Sequence, residues 1–125
     1  MMGRIRLIRV VSLCAIVLAS ASAQNQNLAV TRHKAETGDP IAQFDLARAY
    51  IAGEGVAKDS EQGLRWLRKS ANQDYFGAEY ALGIMYQTGA EGLPKDGHEA
   101  AKWYVKAARQ QNKASQDRLL DMVAK

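Results

Sequence analysis

A block of about 30 residues occurs twice in this chain, and that repetition limits the fold more than any single motif does. Ala42, Leu46, Tyr50 and Gly53 return as Ala78, Leu82, Tyr86 and Gly89, each 36 positions later. One residue is inserted in the second loop. Gly55, Asp59, Trp66, Lys69 and Ala71 then return as Gly92, Asp96, Trp103, Lys106 and Ala108, each 37 positions later. A partial third copy is visible in Ser115 and Leu119, 37 positions beyond Ala78 and Leu82. A repeat of this length is too small to enclose a core of its own. It must bury its apolar face against its neighbours.

The spacing inside the block is helical. Ala42, Leu46 and Tyr50 fall at i, i+4 and i+8, one stripe of a helix. Gly53 and Gly89 stand where a helix can close on a left-handed residue. Asp59 and Asp96 are N-cap candidates, and Gln62 and Glu99 three residues on complete the spacing of a capping box. In the second helix of each repeat the inward face is expected to be Leu64, Leu67 and Ala71 beside Trp66, and Ala101, Tyr104 and Ala108 beside Trp103. Pro40 after Asp39 suits a first helical position. These signals predict helices near 27–37, 40–52, 60–72, 75–88, 97–110 and 113–123. The expected organisation is a signal segment over 1–23, an N-terminal capping helix within 24–39, repeats over 40–73 and 74–111, and a C-terminal capping helix within 112–125. The flanking helices would cover the open ends that two repeats leave, with Lys113, Gln116, Asp117, Arg118 and Asp121 on the solvent side. The fold class is all-α, a short solenoid of tandem helix-turn-helix repeats.

Taken in order, A-x-x-x-L-x-x-x-Y-x-x-G, then G-V/L-x-x-D, then W-x-x-K-x-A resembles the Sel-one-like repeat, a relative of the tetratricopeptide repeat. The resemblance covers residues 42–113 and extends weakly to 123. Three positions depart from it: Ala47 where the second copy has Gly83, Gly63 where it has Ala100, and Ser70 where it has Ala107. The resemblance implies an α-solenoid whose concave face is lined by the first helix of each repeat. It also implies work as an adaptor, an assembly factor or a regulator, in many bacterial cases after export.

Residues 1–23 have the three parts of a secretory signal. Arg4, Arg6 and Arg9 form a basic start, Val10 to Ala19 an apolar run of ten residues, and Ala21-Ser22-Ala23 a small-residue cleavage site. A bilayer span needs about 20 apolar residues, so this run reads as an address. Cleavage after Ala23 and a periplasmic or secreted destination are expected, with no membrane span afterwards. The alternative is an uncleaved anchor. Cys14 is the single cysteine and would leave with the signal, which removes disulfides, thiolate metal sites and cysteine nucleophiles. The formal charge of +4 also depends on this segment. Without Arg4, Arg6 and Arg9, the 17 basic residues fall to 14 against 13 acidic ones, and no clustered excess remains to track phosphates. Nucleic acid is therefore not an expected partner.

No catalytic, cofactor or metal site is expected. His33 and His98 are the only histidines; His33 has Glu36 three residues on, a weak pair, and His98 lies beside Glu99 in the first turn after the Asp96 cap, so both read as surface residues. The acids Asp59, Glu61, Asp96 and Glu99 stand where helix caps belong, and the glycine-rich loops punctuate helices. Nucleophile-elbow, phosphate-loop and dinucleotide motifs do not occur. What remains is the first helix of each repeat. Once its Ala/Leu/Tyr stripe is packed, Phe44 and Arg48 are left in one copy and Tyr80 and Ile84 in the next, with Gln43 and Glu79 nearby. Phe44 and Tyr80 are 36 apart and would form an aromatic ladder that either packs between repeats or lines the groove. The expected function is that of an exported monomeric adaptor, regulator or immunity-type inhibitor, binding a protein or peptide segment in the concave groove through Phe44, Arg48, Tyr80 and Ile84. One alternative is a structural subunit of an envelope complex. Another is a cell-wall or β-lactam hydrolase, an activity proposed for some cysteine-rich relatives that rely on disulfides this chain cannot make.

Overall fold

The computed structural model describes residues 26–110 and 113–124, and for 113–115 the backbone alone. The expected signal segment, its expected cleavage site and Cys14 lie outside the described residues. Six α-helices and no strand are found among those described: α1 over 26–36, α2 Pro40–Ala52, α3 Ser60–Ala71, α4 Phe76–Thr88, α5 Gly97–Ala108 and α6 Lys113–Val123. Each helix packs on the next in a tandem array. Two copies of a helix-turn-helix, α2–α3 and α4–α5, form its centre, and the fold is the predicted all-α solenoid.

Local chemistry sets the ends of these helices. Asp39 caps α2, its carboxylate accepting from the N–H groups of Ile41 and Ala42, and Pro40 occupies the first turn. Asp59 accepts from Gln62 N–H at 3.1 Å, and Asp96 from His98 and Glu99 N–H at 3.0 and 3.1 Å. The reciprocal half of both capping boxes is missing. The Asp59 and Asp96 N–H groups donate instead to the Tyr50 and Tyr86 carbonyls, each at 2.9 Å, and Glu99 turns to Lys102 at 2.6 Å. The cap residue is thereby tied to the last turn of the helix before it. Gly53 and Gly89 close α2 and α4 at φ 72°, a left-handed conformation that costs a side chain-bearing residue about 1–2 kcal/mol.

Two apolar clusters hold the array. Ala35, Ala42 and Leu46 join α1 to α2, and Ala47, Leu64, Leu67, Ala71, Ala78, Leu82 and Met85 join α2 through α4. Leu46, Leu67 and Leu82 are fully buried. Each such side chain contributes about 1.5–3 kcal/mol of transfer free energy. Trp66 packs against both clusters and so joins them. On α5 the buried face is Ala100, Tyr104 and Ala107, at i, i+4 and i+7, whereas Ala101 and Ala108 are only half-buried. The helix is thus rotated from the expected Ala101/Tyr104/Ala108 face. The fully buried Tyr104 ring, seated against Gly83, fixes that rotation.

The three departures from strict repetition have packing reasons. Gly83 sits under the Tyr104 ring, so closely that a Cβ there would lie 2.5 Å from a ring carbon. The first repeat has the smaller Leu67 opposite, which leaves room for Ala47. Gly63 in turn makes space for Ile51, whose counterpart in the second repeat is the unbranched Gln87. Ser70 is buried, and its hydroxyl donates to the Pro40 carbonyl at 2.6 Å.

Candidate functional site

Phe44 and Arg48 stand one turn apart on α2, and Tyr80 and Ile84 occupy the same two positions on α4. Arg48 is exposed, and its guanidinium lies 5.9 Å from the Phe44 ring centre, within cation–π range. Phe44, Tyr80 and Ile84 are half-buried. The two aromatics do not stack on each other as a ladder. Phe44 is tilted against Tyr75 at 5.4 Å, while Tyr80 stacks on Phe76 at 5.8 Å and meets Tyr104 at 5.9 Å. Tyr75, the N-cap of α4, and Phe76, its first residue, thus each supply one ring to a separate aromatic contact. They escape a self-comparison because their counterparts in the first repeat are Asp39 and Pro40.

Gln43 and Glu79 do not share that surface. They are 5% and 1% exposed and wedge into the joints between helices. The reason is positional: a first helix is packed on both sides, by its own second helix and by the second helix before it, so little of its circumference is left to solvent. Gln43 donates to the Ala35 carbonyl at 3.0 Å and accepts from Gln73 at 2.7 Å. Glu79 accepts from Gln110 at 3.1 Å through one carboxylate oxygen, and its other oxygen is buried without a partner. Burial pushes the Glu79 carboxyl above its ordinary value, against the pull of Lys106 and with the help of Asp74.

Other polar contacts brace the array. Arg32 reaches the Tyr50 hydroxyl at 3.1 Å, and Arg68, 36 positions later, reaches the Tyr86 hydroxyl at 3.4 Å. So α1 meets α2 as α3 meets α4. Gln87 accepts from both the Tyr104 hydroxyl at 2.8 Å and Arg118 at 3.1 Å, tying α4, α5 and α6 together. Arg118 is therefore half-buried rather than on the solvent side, while Gln116, Asp117 and Asp121 are exposed. The same helix exposes Leu120 and Val123. In the second loop, Ser60 donates to Glu91, which links the inserted residue region to the start of α3.

The two histidines are far apart in the fold. His33 and His98 are exposed on α1 and α5. Among the described residues, no three His, Cys, Asp or Glu side chains are grouped as a metal ion would require. Trp66 and Trp103 are half-buried against the core, and Lys69 and Lys106 lie over their rings at 4.4 and 5.1 Å, so neither offers an open stacking platform. Among the described residues no helix is long and apolar enough to cross a membrane.

The family model described as the Sel1 repeat matches residues 40–75 and 77–112, together more than half of the chain. The chain belongs to the Sel1 repeat family. Among solved structures it is similar to a Sel1 repeat protein from Oxalobacter formigenes, at 34% identity and a TM-score of 0.71, over 75% of this chain and 70% of that one. It is also similar to a protective antigen present in uropathogenic Escherichia coli strains that displays an SLR fold, at 37% identity and a TM-score of 0.69. That match covers 76% of this chain and 20% of the antigen, so this chain spans a short part of the longer protein. No curated protein matches. Sel1 repeat proteins are generally non-catalytic modules for protein interaction.

Proposed function

We propose that this Sel1 repeat protein is an exported interaction module that holds a peptide, or one helix of a partner, along the α2 and α4 face. The observation that carries the reading is the pair of matched positions. Phe44 with Arg48, and Tyr80 with Ile84, stand at the same places on successive first helices and keep part of their surface open, each aromatic ring backed by a ring from the start of α4. Solenoid repeats turn slightly from one to the next, which makes such a face concave. Binding energy concentrates in aromatic and arginine side chains, so Arg48 and Tyr80 are the expected anchors. Arg48 is exposed and its removal leaves the core intact; Tyr80 also touches Phe76 and Tyr104.

Co-purification from the cell envelope with the wild-type protein as bait identifies the partner. Arg48→Ala with Tyr80→Ala is then expected to weaken that partner at least about tenfold, a loss of about 1.4 kcal/mol. Circular dichroism should stay near wild type. Undiminished binding by the double variant would place the contact on another face. Loss of helicity in the double variant, with Arg48→Ala alone folded and binding normally, would mean that Tyr80 serves the core.

Export rests on the basic, apolar and small-residue order of residues 1–23. The exported protein is expected to begin at Gln24, which intact-mass measurement reads directly. A mass that retains residues 1–23 would leave the segment as an anchor.

A further inference from the structure

The joint before each repeat is built to one pattern, and the second copy lacks a hydrogen atom that the first copy has. In the first copy the Ala35 carbonyl accepts from Gly38 N–H at 3.2 Å and from the Gln43 side-chain amide at 3.0 Å. The Gln43 oxygen then accepts from Gln73. Every member recurs: Ala71 for Ala35, Asp74 for Gly38, Glu79 for Gln43, each 36 positions on, and Gln110 for Gln73 at 37. Asp74 N–H donates to the Ala71 carbonyl at 3.1 Å, and Gln110 donates to a Glu79 oxygen. By this correspondence the remaining Glu79 oxygen is the counterpart of the Gln43 amide nitrogen. It is the buried side-chain oxygen without a partner. An ionised carboxylate only accepts, and so does the carbonyl it replaces a donor against. A buried polar atom left in that state keeps the desolvation cost of its burial without the hydrogen bond that would offset it.

We propose that Glu79 carries a proton in the folded protein and donates it to the Ala71 carbonyl, which makes the joint between the two repeats tighter in acid and weaker toward neutral pH. The charged groups around it do not reverse this. Lys106 on α5 favours the ionised form, but its ammonium lies 3.8 Å from Asp74, in the α3–α4 turn, and Asp74 acts the other way on Glu79. Arg109, just past the end of α5, lines the same cleft but is exposed, where solvent screens it. Gln110 is neutral, and α3 contributes the uncharged Ser70 and Ala71 at its buried end. Burial is the largest influence, and it favours the neutral acid.

The sign of the pH dependence follows from proton counts. Between the ordinary glutamate value and the higher value in the folded protein, the folded state binds more protons than the unfolded chain. Stability therefore falls as pH rises through that window and levels off above it. Glu79→Gln supplies the missing donor permanently. Its melting temperature is expected to match wild type at about pH 4 and to exceed it increasingly toward about pH 7, where the wild-type carboxyl is penalised. A gap that does not change with pH, or a variant less stable than wild type at neutral pH, would overturn the proposal. The wild-type protein gives a second, independent reading through the Glu79 carboxyl-carbon NMR signal. Titration above the usual carboxylate range supports the assignment even where the variant folds poorly, and titration within or below that range refutes it.

Discussion

Trp66→Ala is expected to lower the unfolding free energy by about 3–5 kcal/mol, and Trp103→Ala by less. The two residues hold equivalent positions, so the difference comes from their surroundings. Trp66 packs against both apolar clusters and is the side chain that makes them continuous from α1 to α4. Trp103 packs against one of them. Removing Trp66 therefore opens the joint before the first repeat as well as the repeat itself. The loss would be a large share of the about 5–15 kcal/mol that a domain commonly has. Lys69 lies over the Trp66 ring and covers it from solvent, so part of the cost is its lost cation–π contact, about 0.5–1 kcal/mol at an exposed site. Urea titrations of both variants decide the matter. A Trp103→Ala cost equal to or above that of Trp66→Ala would show that the clusters are not joined through Trp66.

How much of this was readable beforehand depends on what repeats. The helices α2 to α5 were legible because their caps recur: Asp59 and Asp96 at the starts, Gly53 and Gly89 at the ends. The packed stripe of Ala42, Leu46 and their copies was legible for the same reason. A comparison that rewards identity passes over positions that differ while serving one purpose. Gln43 and Glu79 are such a pair, and they read as open surface although both are buried. Tyr75 and Phe76 were hidden differently, since their counterparts Asp39 and Pro40 do another job. The rotation of α5 was missed because alanines at Ala100, Ala101, Ala107 and Ala108 satisfy two neighbouring faces equally well. Only the contact of Tyr104 with Gly83 chooses between them.

That contact makes the second large expected effect. Gly83→Ala should destabilise the protein by about 1–3 kcal/mol, the usual cost of forcing added carbon into a packed core. An exposed helix interior would behave oppositely, because alanine is favoured over glycine there by about 1 kcal/mol. The sign is set by space: the new Cβ would lie 2.5 Å from a Tyr104 ring carbon, and that ring is fully buried and tied through its hydroxyl to Gln87. It has no free direction in which to withdraw. Tyr104→Leu alone removes the ring and its hydrogen bond and leaves a cavity over Gly83, so it too is destabilising. Together the two changes install the combination of the first repeat, where Ala47 faces a helix carrying Leu67 at that position. The double variant should therefore be more stable than the sum of the single losses implies, with a coupling of about 0.5–3 kcal/mol. Thermal or urea unfolding of the four proteins in the cycle measures it. Additive losses would mean that α4 moves away from α5 to accept the methyl group, and that the glycine is not what lets these helices close.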